Sequence, residues 1–124
     1  QRVHLARVLC QLPEPCPDGR AAWLFLDEPT SSLDLRHQLM ALSAAQRFAR
    51  AGGGVVAVLH DLNLAARHAD RIVVIRKGRI AADGPPATVL TPEMIEDVFG
   101  VALAVGRTGD GTPYVLPHGI AAAS

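Results

Sequence analysis

The hydrophobic pattern of the chain alternates between short continuous apolar runs and longer segments with helical spacing. Continuous apolar runs are typical of strands buried on both faces of a parallel sheet. They predict three strands, at residues 23–26, 55–59 and 71–76. Lys77 and Gly78 favour a turn after the third strand, so residues 79–82 are predicted to complete a hairpin.

Two helical segments separate the predicted strands. Residues 35–51 form the first, and a glycine run from Gly52 ends it. Asp34 and Asp61 precede the first and second helices and are favoured N-cap residues. Strand, helix, strand, helix and strand in this order predict an α/β fold with a parallel sheet. The apolar positions on or near one face of the first helix are Leu35, Leu39, Leu42 and Phe48.

The two ends of the chain carry weaker patterns. Two short helices are predicted at residues 87–90 and 92–99, and residues 101–105 are predicted to pair with residues 114–116 before a frayed Ala-rich end. At the other end, Gln1 enters a helical pattern without an initiator Met or a capping residue, and a proline-rich loop follows. We expect the chain to be a piece of a longer protein.

Two adjacent acids, Asp27 and Glu28, end the first predicted strand. In parallel sheets the ligand crevice lies at the carboxyl ends of the strands, which is where these acids fall. Neighbouring strand residues point to opposite faces, so two different roles follow unless the backbone turns between them. One carboxylate can hold Mg²⁺ while the next orients or deprotonates a water for attack on phosphorus. The alternative is an acidic turn that merely ends a strand.

His60 follows the second predicted strand. Because parallel strands end at the same edge, its imidazole is expected near Glu28, where it can donate a hydrogen bond to a γ-phosphate. The alternative is a structural histidine, and the position beside the acidic strand favours the functional interpretation. The other four histidines have no spacing suited to a metal site and are interpreted as surface or packing residues: His4, His37, His68 and His118.

Composition excludes several classes of protein. The chain has 124 residues, enough for one domain at most, and 12 basic and 12 acidic residues. Zero formal charge argues against a nucleic-acid binder that uses a broad basic field. Cys10 and Cys16 form no CxxC motif and are expected to be reduced. No apolar run approaches the roughly 20 residues that span a bilayer, so membrane contact is expected through a partner.

Several motifs in order resemble those of ATP-binding cassette (ABC) proteins. LFLDEP resembles their Walker B strand and catalytic glutamate, SSLD their D-loop, and VLHDLN their switch-histidine segment. QRVHLARVL resembles the helix that follows their signature motif, and RIVVIRKGRIAADGPPATVL resembles their final strands. The ending LTPEMIEDVFGV resembles the subgroup that powers importers of iron chelates, haem and cobalamin. Within it, the haemin-import ATPases are the most similar.

The resemblance implies a role for each matching residue. Asp27 would hold Mg²⁺ through water, Glu28 would act on the attacking water, and His60 would contact the γ-phosphate of ATP. Gln1 and Arg2 would form the trailing edge of the nucleotide-binding signature. The D-loop residues would lie at the interface of a head-to-tail dimer of two ATPase subunits: Ser32, Leu33 and Asp34.

The resemblance also implies a fold, partners and a location. It implies the P-loop NTPase fold of ABC ATPases, here the C-terminal portion of the parallel-sheet core with flanking helices. Residues 1–90 would belong to the nucleotide-binding domain, and residues 91–124 to a C-terminal extension. The partners would be a second copy, membrane permease subunits and, indirectly, a periplasmic binding protein, without nucleic acid. The location would be the cytoplasmic face of the bacterial inner membrane.

The chain departs from the family in lacking a GxxxxGK[ST] phosphate loop, a glutamine loop and the signature. We expect these residues alone neither to bind ATP tightly nor to hydrolyse it, and to be marginally stable. Two other functions share the motifs: an ATPase of chromosome maintenance or DNA repair, and a non-catalytic interaction module. The sequence shows no heptad repeats and has no net charge, which argues against the chromosome-maintenance or DNA-repair ATPase. It retains Asp27, Glu28 and His60, which argues against the non-catalytic module.

Overall fold

A computed structural model of the chain describes residues 14–29 and 34–120. They fall into two compact units, divided between His60 and Asp61. The helix predicted near the start of the chain, the frayed end, and Cys10 lie outside the described residues. Cys16, the cysteine within the described residues, is a free thiol.

The first unit is built on two parallel strands joined by a helix. After a single 3₁₀ turn at Pro17–Gly19, it contains β1 (Trp23–Asp27), α1 (Leu35–Arg50) and β2 (Gly54–Val58). Phe25 lies opposite Val56, and Asp27 lies opposite Val58. The prediction of parallel strands at residues 23–26 and 55–59, with a helix between them, is therefore confirmed.

Helix α1 begins and ends where the sequence predicts. The Asp34 side chain accepts a hydrogen bond from the His37 backbone N–H, which satisfies one of the unpaired donors of the first turn. The helix buries four side chains, Ala41, Leu42, Ala45 and Phe48. Leu35 was expected on or near the same face, but it is 67% exposed.

The strands of the first unit are less buried than the sequence predicts. Trp23 and Phe25 are 61% and 73% exposed, whereas the alternate residues Leu24 and Leu26 are half-buried. Val56 and Val58 are exposed on β2, in register with Phe25 and Asp27. The prediction of strands buried on both faces is therefore wrong for the described residues, whose sheet has two strands and is covered on one face.

The second unit consists of helices and two antiparallel hairpins. Its elements in chain order are α2 (Leu62–His68), β3 (Ile72–Arg76), β4 (Arg79–Gly84), α3 (Pro86–Val89), α4 (Pro92–Phe99), β5 (Leu103–Arg107) and β6 (Pro113–Ile120). Strand β3 pairs with β4, and β5 pairs with β6. The two short helices and both hairpins were predicted. The third strand was expected in the parallel sheet, but among the described residues β3 pairs only with its hairpin neighbour.

Local sequence accounts for the boundaries of these elements. Lys77 and Gly78 have φ angles of 51° and 75°, as the tight turn between β3 and β4 requires. Thr91 caps α4 by accepting a hydrogen bond from the Met94 backbone N–H. Gly100 ends that helix with φ of 71°. The core beneath these elements contains Ala66, Ile72, Val74, Val89, Leu90, Ile95 and Val115.

None of the helices in the described ranges is both long and apolar enough to cross a bilayer.

Candidate functional site

The backbone turns sharply at Glu28, immediately after β1. Glu28 has a φ of +50°, in the left-handed region that a side chain bearing a Cβ disfavours by about 1–2 kcal/mol. Its backbone N–H donates to the carbonyl of Val58 at 2.9 Å, which ties the turn to the end of β2. Asp27 and Glu28 therefore lie on a strand end and a turn, respectively. Their different surroundings suit the two different roles that the sequence indicates.

His60 lies against Glu28 at this edge of the sheet. Its Nε2 is 2.5 Å from Oε1 of Glu28, although the two residues are 32 positions apart. The side chain of His60 is 80% exposed and that of Glu28 is 39% exposed. An exposed pair of this kind adds little to stability, typically about 0–1 kcal/mol. Stability alone therefore gives little reason to place a strained acid against a histidine.

Chemically, the contact joins a carboxylate to an imidazole that is open to solvent. A carboxylate held by a hydrogen bond has a fixed orientation, which a general base needs. An exposed imidazole can donate a hydrogen bond to a phosphate oxygen. Asp27 is exposed beside them at the end of β1. Across residues 14–29 and 34–120, no group of three or more His, Cys, Asp or Glu side chains forms a metal site.

Asp34 occupies the start of α1 and has a partner that sequence reasoning missed. Its Oδ1 accepts from the His37 backbone N–H at 3.0 Å and lies 2.5 Å from Nδ1 of the same residue. His37 was interpreted as a surface or packing residue. The signal that could have revealed the contact is the three-residue spacing, which brings a side chain in the first helical turn back to the N-cap.

Asp61 caps α2 as predicted, by accepting from the backbone N–H groups of Asn63 and Leu64 at 2.9 and 3.1 Å. Its neighbour Asn63 was not singled out in the sequence, yet its side-chain amide bonds to Val115 of β6. Four other expected site residues lie outside the described part of the chain: Gln1, Arg2, Ser32 and Leu33.

The chain is similar to bacterial import proteins over nearly its whole length. It is 56% identical over 119 residues to the hemin import ATP-binding protein HmuV of Rhizobium johnstonii, and 59% identical over 118 residues to that of Rhodopseudomonas palustris. These matches cover 95% of the chain, which spans 45% and 44% of the length of these relatives. No family model matches the chain.

Solved structures show the same fold. A putative metal-chelate type ABC transporter in an inward-facing conformation covers 79% of the chain with a TM-score of 0.63 and 23% identity. The match takes up 41% of the transporter chain. UvrA2 from Deinococcus radiodurans covers 80% of the chain with a TM-score of 0.57 and 28% identity, over 12% of its own chain. These likenesses confirm the α/β, P-loop NTPase fold class.

The order of the motifs, the fold and the sequence relatives all indicate the same family. The chain belongs to the ABC ATPase family, as a segment homologous over 95% of its length to hemin import ATP-binding proteins.

Proposed function

We propose that the chain supplies the hydrolytic part of an ATP site in the ATPase subunit of an importer for haemin or a related iron chelate. The observation that carries the proposal is the contact between Glu28 and His60 at the carboxyl ends of two parallel strands. The names of the relatives favour import over the two other functions that share these motifs.

In the proposed site, Glu28 is the general base. The backbone hydrogen bond from Glu28 to Val58 fixes its position relative to β2, and the contact with His60 fixes its carboxylate. The carboxylate would orient the attacking water and accept its proton. His60, mostly exposed, would donate a hydrogen bond to the terminal phosphate and balance charge that develops there.

Asp27 is the proposed contact to Mg²⁺, which would neutralise charge on the phosphates. In nucleotide sites this ion uses one or two carboxylates together with phosphate oxygens and water. The exposed carboxylate of Asp27 fits this requirement, because it lies next to Glu28 at the strand end and points away from the half-buried side of β1.

The rest of the site would come from outside these residues, since the sequence contains no GxxxxGK[ST] loop. We propose that a second ATPase subunit packs head to tail against the first, with the D-loop residues Ser32, Leu33 and Asp34 at the interface. Gln1 and Arg2 would border the nucleotide. Permease subunits and a periplasmic binding protein complete the proposed importer, with the ATPase on the cytoplasmic face of the inner membrane.

The test uses a chimera in which this chain replaces the matching 119 residues of the Rhizobium johnstonii relative. Replacing Glu28 with Gln keeps the size of the side chain but removes its basicity, so kcat for ATP hydrolysis should fall by about 10²–10⁴ while ATP binding persists. Glu96→Gln is the matched control, because Glu96 is exposed on α4. Unchanged turnover by the Glu28 variant would refute the proposed role.

A further inference from the structure

The turn between β3 and β4 concentrates positive charge at one end of the second unit. Arg76, Lys77 and Arg79 follow one another within this turn, and all three are exposed. Arg76 lies directly opposite Arg79 in the register of the hairpin. Like charges in opposite positions of a strand pair are destabilising, so this arrangement does not serve the stability of the hairpin. We call residues 75–80 the hairpin tip.

The backbone of the turn also disfavours the residue at its first position. Lys77 has a φ of 51°, where turns of this kind prefer Asn, Asp or Gly. Within residues 14–29 and 34–120, neither Lys77 nor Arg79 forms an ion pair that would offset these unfavourable choices. Local choices that work against the fold are expected at functional positions.

An exposed apolar pair adjoins these charges. Ile75 lies opposite Ile80, and the two residues are 68% and 66% exposed. Val73 is also exposed, whereas its neighbours Ile72 and Val74 belong to the core of the unit. The hairpin therefore buries one set of apolar side chains in the core and exposes a second set beside the cations.

The hairpin tip projects into open space. A Cβ added to Gly78 would meet no atom within 4 Å. The acidic residue closest to the tip in contact terms is Asp97 of α4, whose carboxylate lies 3.8 Å from Arg76 and whose carbonyl oxygen accepts a hydrogen bond from the same guanidinium. A projecting turn cannot enclose a small anion, but it can lie on an extended anionic surface.

We propose that the hairpin tip docks on the anionic headgroup surface of a lipid bilayer. Lys77 and Arg79 contact lipid phosphate groups, while Ile75 and Ile80 enter the boundary between headgroups and acyl chains. The choice of a membrane over an acidic protein surface rests on the proposed function, which places the chain at the cytoplasmic face of the inner membrane. The contact itself requires neither ATP nor hydrolysis.

The test measures binding of the chimera described above to lipid vesicles by co-sedimentation. The chimera should bind vesicles of phosphatidylglycerol and phosphatidylethanolamine more tightly than vesicles of phosphatidylcholine, and added salt should weaken the binding. Each cation near an anionic surface contributes about fivefold in affinity, so Lys77→Ser combined with Arg79→Ser should weaken binding about 25-fold. Equal affinity for the two kinds of vesicle would overturn the proposal.

A matched control separates the hairpin tip from the overall charge of the protein. Arg67→Ser makes the same exchange as Arg79→Ser at an exposed position on α2 of the same unit. Arg79→Ser alone should weaken binding about fivefold, and Arg67→Ser should have a smaller effect. Equal losses in the two single variants would overturn the assignment of the contact to the hairpin tip.

The apolar pair is tested separately. Ile75→Ser combined with Ile80→Ser leaves every charge in place and should weaken binding to the anionic vesicles about tenfold or more, because apolar contact with the bilayer is lost. Unchanged affinity would overturn the proposed insertion. Binding of the chimera to polyglutamate but not to anionic vesicles would assign the tip to an acidic protein surface and overturn the proposal.

The lipid contact and the proposed function fail differently. If Glu28→Gln abolishes hydrolysis and the chimera does not bind anionic vesicles, the lipid contact is refuted and the proposed function stands. If Glu28→Gln leaves hydrolysis unchanged and the tip variants still lose vesicle binding, the proposed function is refuted and the lipid contact stands. The Lys77 and Arg79 variants should keep the kcat of the chimera in solution, since neither residue belongs to the proposed hydrolytic site.

Discussion

Ile95 should be among the most sensitive positions of the second unit. It is fully buried in α4 and belongs to the cluster that includes Leu90 and Val115. Ile95→Ala removes three carbon atoms, which at about 0.8 kcal/mol for each buried carbon gives about 2.4 kcal/mol. The cavity left behind adds to this loss, so we expect a total of about 2–5 kcal/mol.

A matched control exists on the same unit. Ile80 of β4 is 66% exposed, so Ile80→Ala removes the same atoms from a position that is mostly in water. The burial free energy lost in the Ile80→Ala variant should be about one third as large, below about 1 kcal/mol. The contrast between the two variants tests burial, because the chemical change is identical.

The assay is native-state amide exchange as a function of urea, which resolves the unit that contains Ile95 from the unit that contains α1. Slowly exchanging amides of α4 and β3 should lose protection in the Ile95 variant and keep most of it in the Ile80 variant. If the amides of the Ile80 variant lose as much protection from exchange as those of the Ile95 variant, or more, the reasoning is refuted.

Two further outcomes follow from local contacts. Thr91→Ala removes the side-chain acceptor of the Met94 N–H and should destabilise α4 by about 1 kcal/mol. Thr88→Ala, at an exposed position, is the control and should not destabilise α4. The free energy of unfolding measured in urea distinguishes the two variants. The hydroxyl of Thr108 and the backbone N–H of Thr112 lower the pKa of Asp110 to about 2, so Thr108→Val should raise it in an NMR titration. Because the pKa of Asp110 is lower in the folded state than in the unfolded state, the ionised carboxylate stabilises the fold at pH values above the ordinary pKa of Asp. This stabilisation is lost as the pH falls towards 2. An unchanged pKa in the Thr108 variant would contradict this account.

Local signals in the sequence predicted most elements of the fold. Asp34 and the glycines after α1 mark the ends of that helix, and Lys77 with Gly78 marks a hairpin turn, because capping and turn residues act over a few positions. The approach of His60 to Glu28 was also predicted, since both follow strands expected to be parallel neighbours. The roles of the two residues in hydrolysis remain predictions.

Other features depend on contacts that no local pattern encodes. Among the described residues, β3 lies outside the parallel sheet of β1 and β2, and this depends on which strands meet in space. The exposure of Phe25 depends on what covers its face of the sheet. The side chain of Asn63 bonds to the backbone of Val115, 52 positions away, and a single asparagine in a helix carries no sign of a distant partner. The sharp turn at Glu28 had no signal, because an acidic side chain is an unusual choice for positive φ.

The exposed position of Trp23 has an optical consequence. Trp23 is the single tryptophan of the chain and is 61% exposed on β1. Its fluorescence should therefore resemble that of an indole in water, with emission at long wavelength and ready quenching by iodide. Any protein segment that covers this face of β1 should shift the emission to shorter wavelength and protect it from the quencher. Assembly of the sheet with the remainder of an ATPase domain can thus be followed by fluorescence, without an added label.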